Sequence, residues 1–292
     1  MMLLKELDTP ISIINVIDLG IDLEKMKDKL RAGYKEYEPD VYLTQRNKIE
    51  ILQSHLSQEE IDRVGYDVWM KIYKGEIPDK DFPIIFPHIA SDVLKTISSL
   101  QPTRMRLISE CELTWKENSW EIQRIPCAPF QQTEALIATN DLDYRLIPRK
   151  FKELPEYLFD EDLKKILIQV GNKVKEFNNS AKKLSISIHH TLILCIPDQI
   201  SSNSPEGIHQ DGVDYIVSAL VIERNNVYGG KSIIYGADAK TPLLNITLQS
   251  GQGIFQPDKG TELWHEVTSI SLINTDEPGY RSTIGFDILV LD

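Results

Sequence analysis

The chain of 292 residues carries 32 Lys and Arg against 44 Asp and Glu, a formal net charge of −12. Because an acidic surface repels phosphate backbones, we expect no nucleic-acid partner. The three cysteines show no C-x-x-C spacing, which argues against a disulfide scaffold and a thiolate zinc site. With no long apolar stretch and no signal-peptide pattern, we expect a cytoplasmic protein without a membrane partner.

Residues 1–102 have a mainly helical pattern. Leu23, Met26 and Leu30 fall on one face of a helix. Ser57 and Glu60 have the spacing of a capping box, ahead of an apolar stripe that runs to Ile72. We predict that residues 1–102 form a helical N-terminal region packed on a core formed by residues 103–292, as one functional unit.

From about residue 103 the hydrophobic period changes to that of strands. The segment KENS, residues 116–119, separates two strand-like segments and predicts a hairpin. One long amphipathic helix, from Leu163 to Phe177, interrupts the strands. After residue 183, short strand-like segments alternate with turn residues. The pattern predicts a mainly β fold with helices (α+β), built on a sandwich, jelly roll or barrel.

The segment SPEGIHQDGVDYIV, residues 204–217, places His209 and Asp211 two apart, with Gly207 and Gly212 on either side. Residues two apart in a strand share a face, so an imidazole and a carboxylate could reach one ion. With six histidines in the chain, about 0.4 such pairs are expected by chance at average residue frequencies. The pair alone is therefore weak evidence for a metal site.

A third ligand candidate strengthens this interpretation. Two histidines and one carboxylate with open positions are typical of non-haem Fe(II) oxygenases. His265, in ELWHEVTSI, lies 56 residues after His209, enough to cross a jelly roll and return on a neighbouring strand. The other histidines are weaker candidates, because two lie in the helical region and two are consecutive. Zinc would accept the same ligand types.

The last predicted strand, in GYRSTIGFDIL, carries Arg281 and Thr283 on one face. A guanidinium with a hydroxyl beside it suits a bidentate clamp on a carboxylate. The alternative is an ordinary cation at a strand edge with a surface partner. The apolar neighbours Ile284, Phe286 and Ile288 favour the clamp.

Four segments in this order, PEGIHQDGVDYIV, NNVYGGKSIIY, ELWHEVTSI and PGYRSTIGFDIL, resemble the Fe(II)- and 2-oxoglutarate-dependent dioxygenases. More narrowly, they resemble the bacterial free-amino-acid hydroxylases of the L-isoleucine 4-hydroxylase type. The resemblance implies a double-stranded β-helix (jelly roll, cupin-like) core and O₂ as oxidant, with ascorbate helpful in vitro. It implies that His209, Asp211 and His265 hold Fe(II), and that Arg281, helped by Thr283, binds the 2-oxoglutarate co-substrate.

The same resemblance implies oxidation of an unactivated C–H bond, with hydroxylation first and desaturation or ring closure also open. Asp211 argues against halogenation, since related halogenases have Gly or Ala at that place. The substrate would be a free L-amino acid or an amino-acid-derived small molecule. The alternatives are a protein or peptide side chain, or a non-enzymatic metal-binding β-barrel module. Candidates to bind the charged groups of an amino acid are Arg106, Arg145, Arg224, Glu110, Asp143, Glu206 and Asp214, although for each of them a surface ion pair is the commoner role.

Overall fold

A computed structural model describes residues 11–132, 136–138, 144–199 and 201–291. Within these ranges the α-helices are α1 (Leu23–Gly33), α2 (Val41–Ser54), α3 (Gln58–Val64), α4 (Tyr66–Tyr73), α5 (Phe82–Ile85), α6 (Ser91–Ser99) and α7 (Glu161–Phe177). The strands are β1 (Ser12–Asn15), β2 (Glu38–Pro39), β3 (Arg104–Lys116), β4 (Ser119–Ile125), β5 (Leu136–Ile137), β6 (Lys183–Cys195), β7 (His209–Gln210), β8 (Tyr215–Asn225), β9 (Val227–Gly229), β10 (Ser232–Tyr235), β11 (Pro242–Ile246), β12 (Gln252–Pro257), β13 (Trp264–Val267), β14 (Ile270–Leu272) and β15 (Gly279–Val290).

The chain divides into two compact units: one runs up to Glu38 and resumes at Met105, and the other spans Pro39–Arg104. The first unit contains two large, mostly antiparallel sheets and a two-stranded sheet of β9 and β14. The larger has the order β1-β12-β8-β15-β6-β3, and the smaller has the order β11-β10-β13-β7-β5. From β6 to β15 the chain crosses repeatedly between them, since β6, β8, β12 and β15 lie in the larger sheet and β7, β10 and β13 in the smaller. This crossing pattern confirms the predicted α+β fold with a jelly-roll core.

The two sheets face each other across an apolar cluster. Val221 of β8 shares this cluster with Ile234 of β10 and Val267 of β13. On β15, Thr283 is the cross-strand partner of Val221, so its side chain is on the same face of the larger sheet. The interior of the jelly roll is therefore lined by one face of β15.

The other face of β15 packs against helices. Ile284, Phe286 and Ile288 belong to the main core together with the apolar stripe of α7, which includes Leu163 and Ile166. The helix predicted between Leu163 and Phe177 is confirmed. Because side chains alternate along a strand, Arg281 and Thr283 point away from α7 and into the space between the sheets.

The second unit is helical, with α2 to α6. The predicted capping box is present: Ser57 and Glu60 bond each other's backbone N–H groups at the start of α3. The apolar stripe expected to continue to Ile72 is divided, because Gly65, with a φ of +79°, ends α3 and α4 starts at Tyr66. None of the described helices is long and apolar enough to cross a bilayer. The predicted packing of a helical region 1–102 on the core stays a prediction.

Gly171 of α7 provides a test of the packing between this helix and the larger sheet. A Cβ at this position would lie 2.7 Å from the indole Nε1 of Trp120 in β4. We expect Gly171→Ala to lower the free energy of unfolding by about 1–3 kcal/mol through overpacking, although Ala stabilises an unhindered helix by about 0.5–1 kcal/mol relative to Gly.

Urea unfolding followed by tryptophan fluorescence measures this difference. Lys165→Ala, on the exposed face of the same helix, is the matched control and should change the free energy by less than about 0.5 kcal/mol. A Gly171→Ala protein at least as stable as the parent would show that Trp120 does not limit the space at this position.

Candidate active site

The site is built on a single cross-strand pair in the smaller sheet. His209 of β7 and His265 of β13 are direct partners, and their ring centroids lie 4.2 Å apart. Gly207 and Gly212 have φ values of +74° and +82°, a conformation that favours glycine. These two turns confine β7 to two residues and bring Asp211 back beside the histidines.

Asp211 completes a three-residue cluster. Its Oδ2 lies 3.2 Å from Nε2 of His265 and its Oδ1 lies 3.6 Å from Nε2 of His209. One ligand atom from each residue falls within 4.8 Å of the others. Both histidines are 4% exposed. Two imidazole nitrogens and one carboxylate oxygen grouped in this way could occupy one face of an octahedral metal ion. The remaining positions of such an ion would stay open.

Hydrogen bonding and burial set the protonation states of His209 and Asp211. The carbonyl of Gly207 lies 2.7 Å from Nδ1 of His209, so Nδ1 donates and Nε2 is the nitrogen able to bind a cation. Burial, followed by the charge of His265, lowers the pKa of His209 to about 4. Burial acts to raise the pKa of Asp211, but the hydrogen bond to His265 and the nearby positive charges hold it well below its usual value.

The pKa of His265 is shifted in the opposite direction to that of His209. Burial acts to lower its pKa, but the hydrogen bond and charge of Asp211 outweigh burial and raise the pKa. Its ring proton is thus held mainly by the Asp211 carboxylate. A cation bound between the two residues would displace this proton, since metal ligation requires the neutral imidazole.

Two neighbours fix the orientation of the carboxylate. The amide of Gln132 donates to Asp211 Oδ1 at 2.6 Å, and the guanidinium of Arg145 donates to the same oxygen at 3.2 Å. Asp211 Oδ2 is left facing His265. Glu206 also reaches the cluster, with its Oε1 3.3 Å from Nε2 of His209 and 3.8 Å from Nη1 of Arg145.

A buried aspartate, Asp258, contacts both the turn that follows Asp211 and the ring of His265. Oδ2 of Asp258 accepts the backbone N–H groups of Gly212 and Val213 at 2.7 and 3.3 Å. Its Oδ1 lies 3.7 Å from Nδ1 of His265. The side-chain amide of Gln210 donates to the carbonyls of Thr261 and Leu263 at 3.0 and 2.8 Å. These bonds fix the segment after β12 against β7, and so fix the relative position of the two histidines.

Arg281 lies on the larger sheet and faces the interior. It is 1% exposed, and its Nε, Nη1 and Nη2 have no hydrogen-bond acceptor in the part of the chain that the structure describes. Burial, followed by the charge of Arg224, lowers its pKa to about 9. Thr283, two residues along the same face, is also buried. A buried charged group without an acceptor is costly, so the position suits a bound anion.

The other charged candidates lie in different surroundings. Arg145 and Glu206 lie at the cluster, as described above. Arg106 donates to Nδ1 of His189 at 2.7 Å, and Nε2 of His189 lies 3.2 Å from Asp287. Asp214 accepts the backbone N–H of Val290 at 2.7 Å and therefore has a structural role. Arg224 is a neighbour of Arg281, Glu110 is half-buried on β3, and Asp143 lies outside the described residues.

Sequence reasoning overlooked Gln132, Gln210 and Asp258. Asp258 had a weak signal, because an aspartate between a predicted strand and the His265 segment is a natural partner for a ligating histidine. The two glutamines had none, since their roles depend on which backbone carbonyls and carboxylates the fold brings within reach.

Comparison with known proteins gives the family. The model of the 2OG-Fe dioxygenase family matches residues 92–291. A bsmA homolog from Methylobium petroleophilum has a similar structure, with a TM-score of 0.53 at 17% identity over 74% of this chain and 83% of that one. IDO from Bacillus thuringiensis gives 0.49 at 14% identity over 65% and 76%. The Fe(II)/α-ketoglutarate-dependent dioxygenase TqaL gives 0.48 at 11% identity over 86% and 90%. No curated protein sequence matches the chain.

At these identities the bsmA homolog supports the fold alone, whereas the family model spans the jelly roll and both groups of candidate residues. The chain therefore belongs to the 2OG-Fe dioxygenase family, and the protein is a dioxygenase that uses Fe(II), 2-oxoglutarate and O₂.

Proposed function

We propose that the protein hydroxylates an unactivated C–H bond of a free L-amino acid or an amino-acid-derived small molecule, as in the free-amino-acid hydroxylase subgroup. In this proposal His209, Asp211 and His265 hold Fe(II), while Arg281 and Thr283 bind the distal carboxylate of 2-oxoglutarate. The observation that carries the proposal is a two-histidine, one-carboxylate cluster on one sheet with a buried guanidinium, lacking an acceptor among the described residues, on the facing sheet.

The donor set fits the cofactors. When bound, iron and 2-oxoglutarate supply the oxidising chemistry, in which the 2-oxo acid is decarboxylated to succinate. The three side chains hold one face of the ion and leave the other positions for the co-substrate and O₂. Gln132 and Arg145 hold one oxygen of Asp211 by hydrogen bonds, which favours ligation through the other.

Charged side chains next to the cluster support a zwitterionic substrate. The Glu206 side chain is 10% exposed and reaches His209, so its carboxylate can accept hydrogen bonds from an ammonium group held next to the ion. Arg149 donates to the carbonyl of Arg145 at 3.4 Å and is itself buried. Its guanidinium lies over the rings of Phe130 and Phe151, and its Nε has no acceptor in the described ranges, so we take it as a candidate for a substrate carboxylate.

A substrate screen tests the proposal directly. The protein is incubated with Fe(II), ascorbate, 2-oxoglutarate and each of the twenty amino acids, and the products are measured by mass spectrometry. We expect one or a few amino acids to gain a single oxygen atom while succinate forms. Loss of two hydrogen atoms would indicate desaturation or ring closure. Turnover of peptides but of no free amino acid would contradict the proposed substrate class.

The roles of the site residues are tested separately. We expect His265→Ala to lower Fe(II) affinity and substrate-linked succinate formation by at least about 100-fold, because loss of a ligand costs more than loss of an outer-shell partner. Arg281→Gln should instead retain Fe(II) and weaken 2-oxoglutarate binding. His55→Ala, at an exposed position on the helical unit, is the control. Substrate-linked succinate formation by His265→Ala at the parent rate would overturn the assignment of the ligands.

Asp258 is expected to orient His265 without touching the ion. In Asp258→Asn an acceptor for the turn at Gly212 is retained, but the carboxyl oxygen that faces Nδ1 of His265 is replaced by an NH₂ group, which cannot accept a hydrogen bond. We expect the affinity for Mn(II), used as a redox-stable substitute for Fe(II), to fall about 10–100-fold. Electron paramagnetic resonance titration measures free Mn(II), and Asp238→Asn in an exposed turn is the matched control. An unchanged Mn(II) affinity would show that Asp258 only fixes the turn.

A further inference from the structure

A second guanidinium lies beside Arg281. Arg224 of β8 is its direct cross-strand partner, so the two side chains leave the sheet on the same face. A Cβ added to Gly230 would lie 3.2 Å from Nη1 of Arg224 and 3.2 Å from Cδ of Arg281. The two arginine side chains therefore both lie close to Gly230, where a larger residue would require them to shift by a few tenths of an ångström.

This pairing is unfavourable without a bound anion. Like charges directly opposite each other on antiparallel strands destabilise the pair. Arg224 Nη2 donates to the carbonyl of Gly229 at 2.7 Å, but its Nη1 is buried and has no acceptor within the described residues, as is true of all three Arg281 nitrogens. Glu223 is adjacent in sequence but alternation places it on the opposite face, where it binds Arg31 at 2.6 Å.

The turn between β9 and β10 connects this region to the strand that pairs with the His265 segment. Gly229 and Gly230 have φ values of +79° and +61°, and a Cβ at Gly229 would lie 2.3 Å from the carbonyl oxygen of Ser269. Two residues further, Ser232 is buried and its Oγ lacks an acceptor among the described residues. Ser232 shares a face of β10 with Ile234, the cross-strand partner of His265. Unpaired polar groups thus extend along β10 from the arginines toward the candidate iron ligands.

We propose that Arg224 is a second binding residue for the distal carboxylate of 2-oxoglutarate, and that the Arg224–Arg281 pair selects dicarboxylic over monocarboxylic 2-oxo acids. The inference rests on the proposed role of Arg281. A carboxylate has about four acceptor sites, enough for donors from both guanidinium groups. An oxo acid without the distal carboxylate leaves both charges unpaired in a buried site, which penalises its binding.

Calorimetry on the full chain tests the proposal without turnover. Protein loaded with Mn(II) is titrated under anaerobic conditions with 2-oxoglutarate and with 2-oxopentanoate, which has the same chain length but no distal carboxylate. We expect Arg224→Gln to weaken 2-oxoglutarate binding about 10-fold or more, the effect of losing one charge-assisted hydrogen bond. Binding of 2-oxopentanoate should not weaken, since its chain end has no charge for Arg224 to bind.

The controls separate the possible failures. Glutamine at position 224 can still donate to the Gly229 carbonyl, so a purely structural role predicts an unchanged ratio of the two affinities, and that result would overturn the proposal. Arg31→Gln removes a charge that pairs on the opposite face of β8 and should leave the ratio unchanged. If Arg281→Gln retains the parent ratio, the proposed role of Arg281 is wrong as well. If only Arg224→Gln retains it, the inference about Arg224 alone fails.

Arg224→Lys provides a second test in case the Arg224→Gln protein does not fold. Arg224→Lys keeps the charge but loses the planar pair of donors, so we expect part of the 2-oxoglutarate preference to be lost. Full preference in a folded Arg224→Lys protein, together with full preference in Arg224→Gln, would show that Arg224 does not contact the carboxylate.

Discussion

The pairing of His209 with His265 across β7 and β13 is the contact on which the rest of the site depends. Because β7 has only two residues between turns, its pairing with β13 and β5 is supplemented by side-chain bonds to its surroundings. Gln210 points away from the ion and bonds the segment before His265, and Asp258 binds the turn after Asp211. The short strand and its partner are thus fixed by groups that need not contact iron or substrate, and the distance between the imidazoles follows from them.

The interior of the jelly roll has a charge arrangement that a folded protein would not keep for stability alone. The side chains of Arg224 and Arg281 both approach Gly230, and a carboxylate, Glu206, lies close to a histidine whose pKa burial has lowered. The Arg281 guanidinium is buried and has no acceptor among the described residues, so its desolvated charge opposes folding. Ligands that bind only the folded state offset this cost, so co-substrate and iron are expected to add stability as well as reactivity. The charges of the folded protein are therefore already complementary to those of iron and 2-oxoglutarate when no ligand is bound.

The candidate site residues that are recognised by their chemical type were predictable from the sequence, and those that depend on their position in the fold were not. His209, Asp211, His265 and Arg281 stand in segments whose order and residue types carry the family pattern, and the alternation along the last strand placed Arg281 and Thr283 on one face. The relation of Arg224 to Arg281 depends on the register of β8 against β15, which shifts at irregular positions next to the pair. Likewise, the break at Gly65 depends on a local left-handed conformation that an otherwise continuous apolar stripe concealed.

One face of β15 packs in the core, and the other face carries candidate residues of the site. Its outward side chains, Ile284, Phe286 and Ile288, are fixed by packing in the main core, and its inward ones carry the arginine and threonine. Because a slip of one residue would exchange the two faces, the same packing that holds the helices against the sheet also determines that Arg281 faces the interior of the jelly roll. A change in the core beneath this strand should therefore move Arg281 within the interior, even where it leaves every candidate side chain of the site intact.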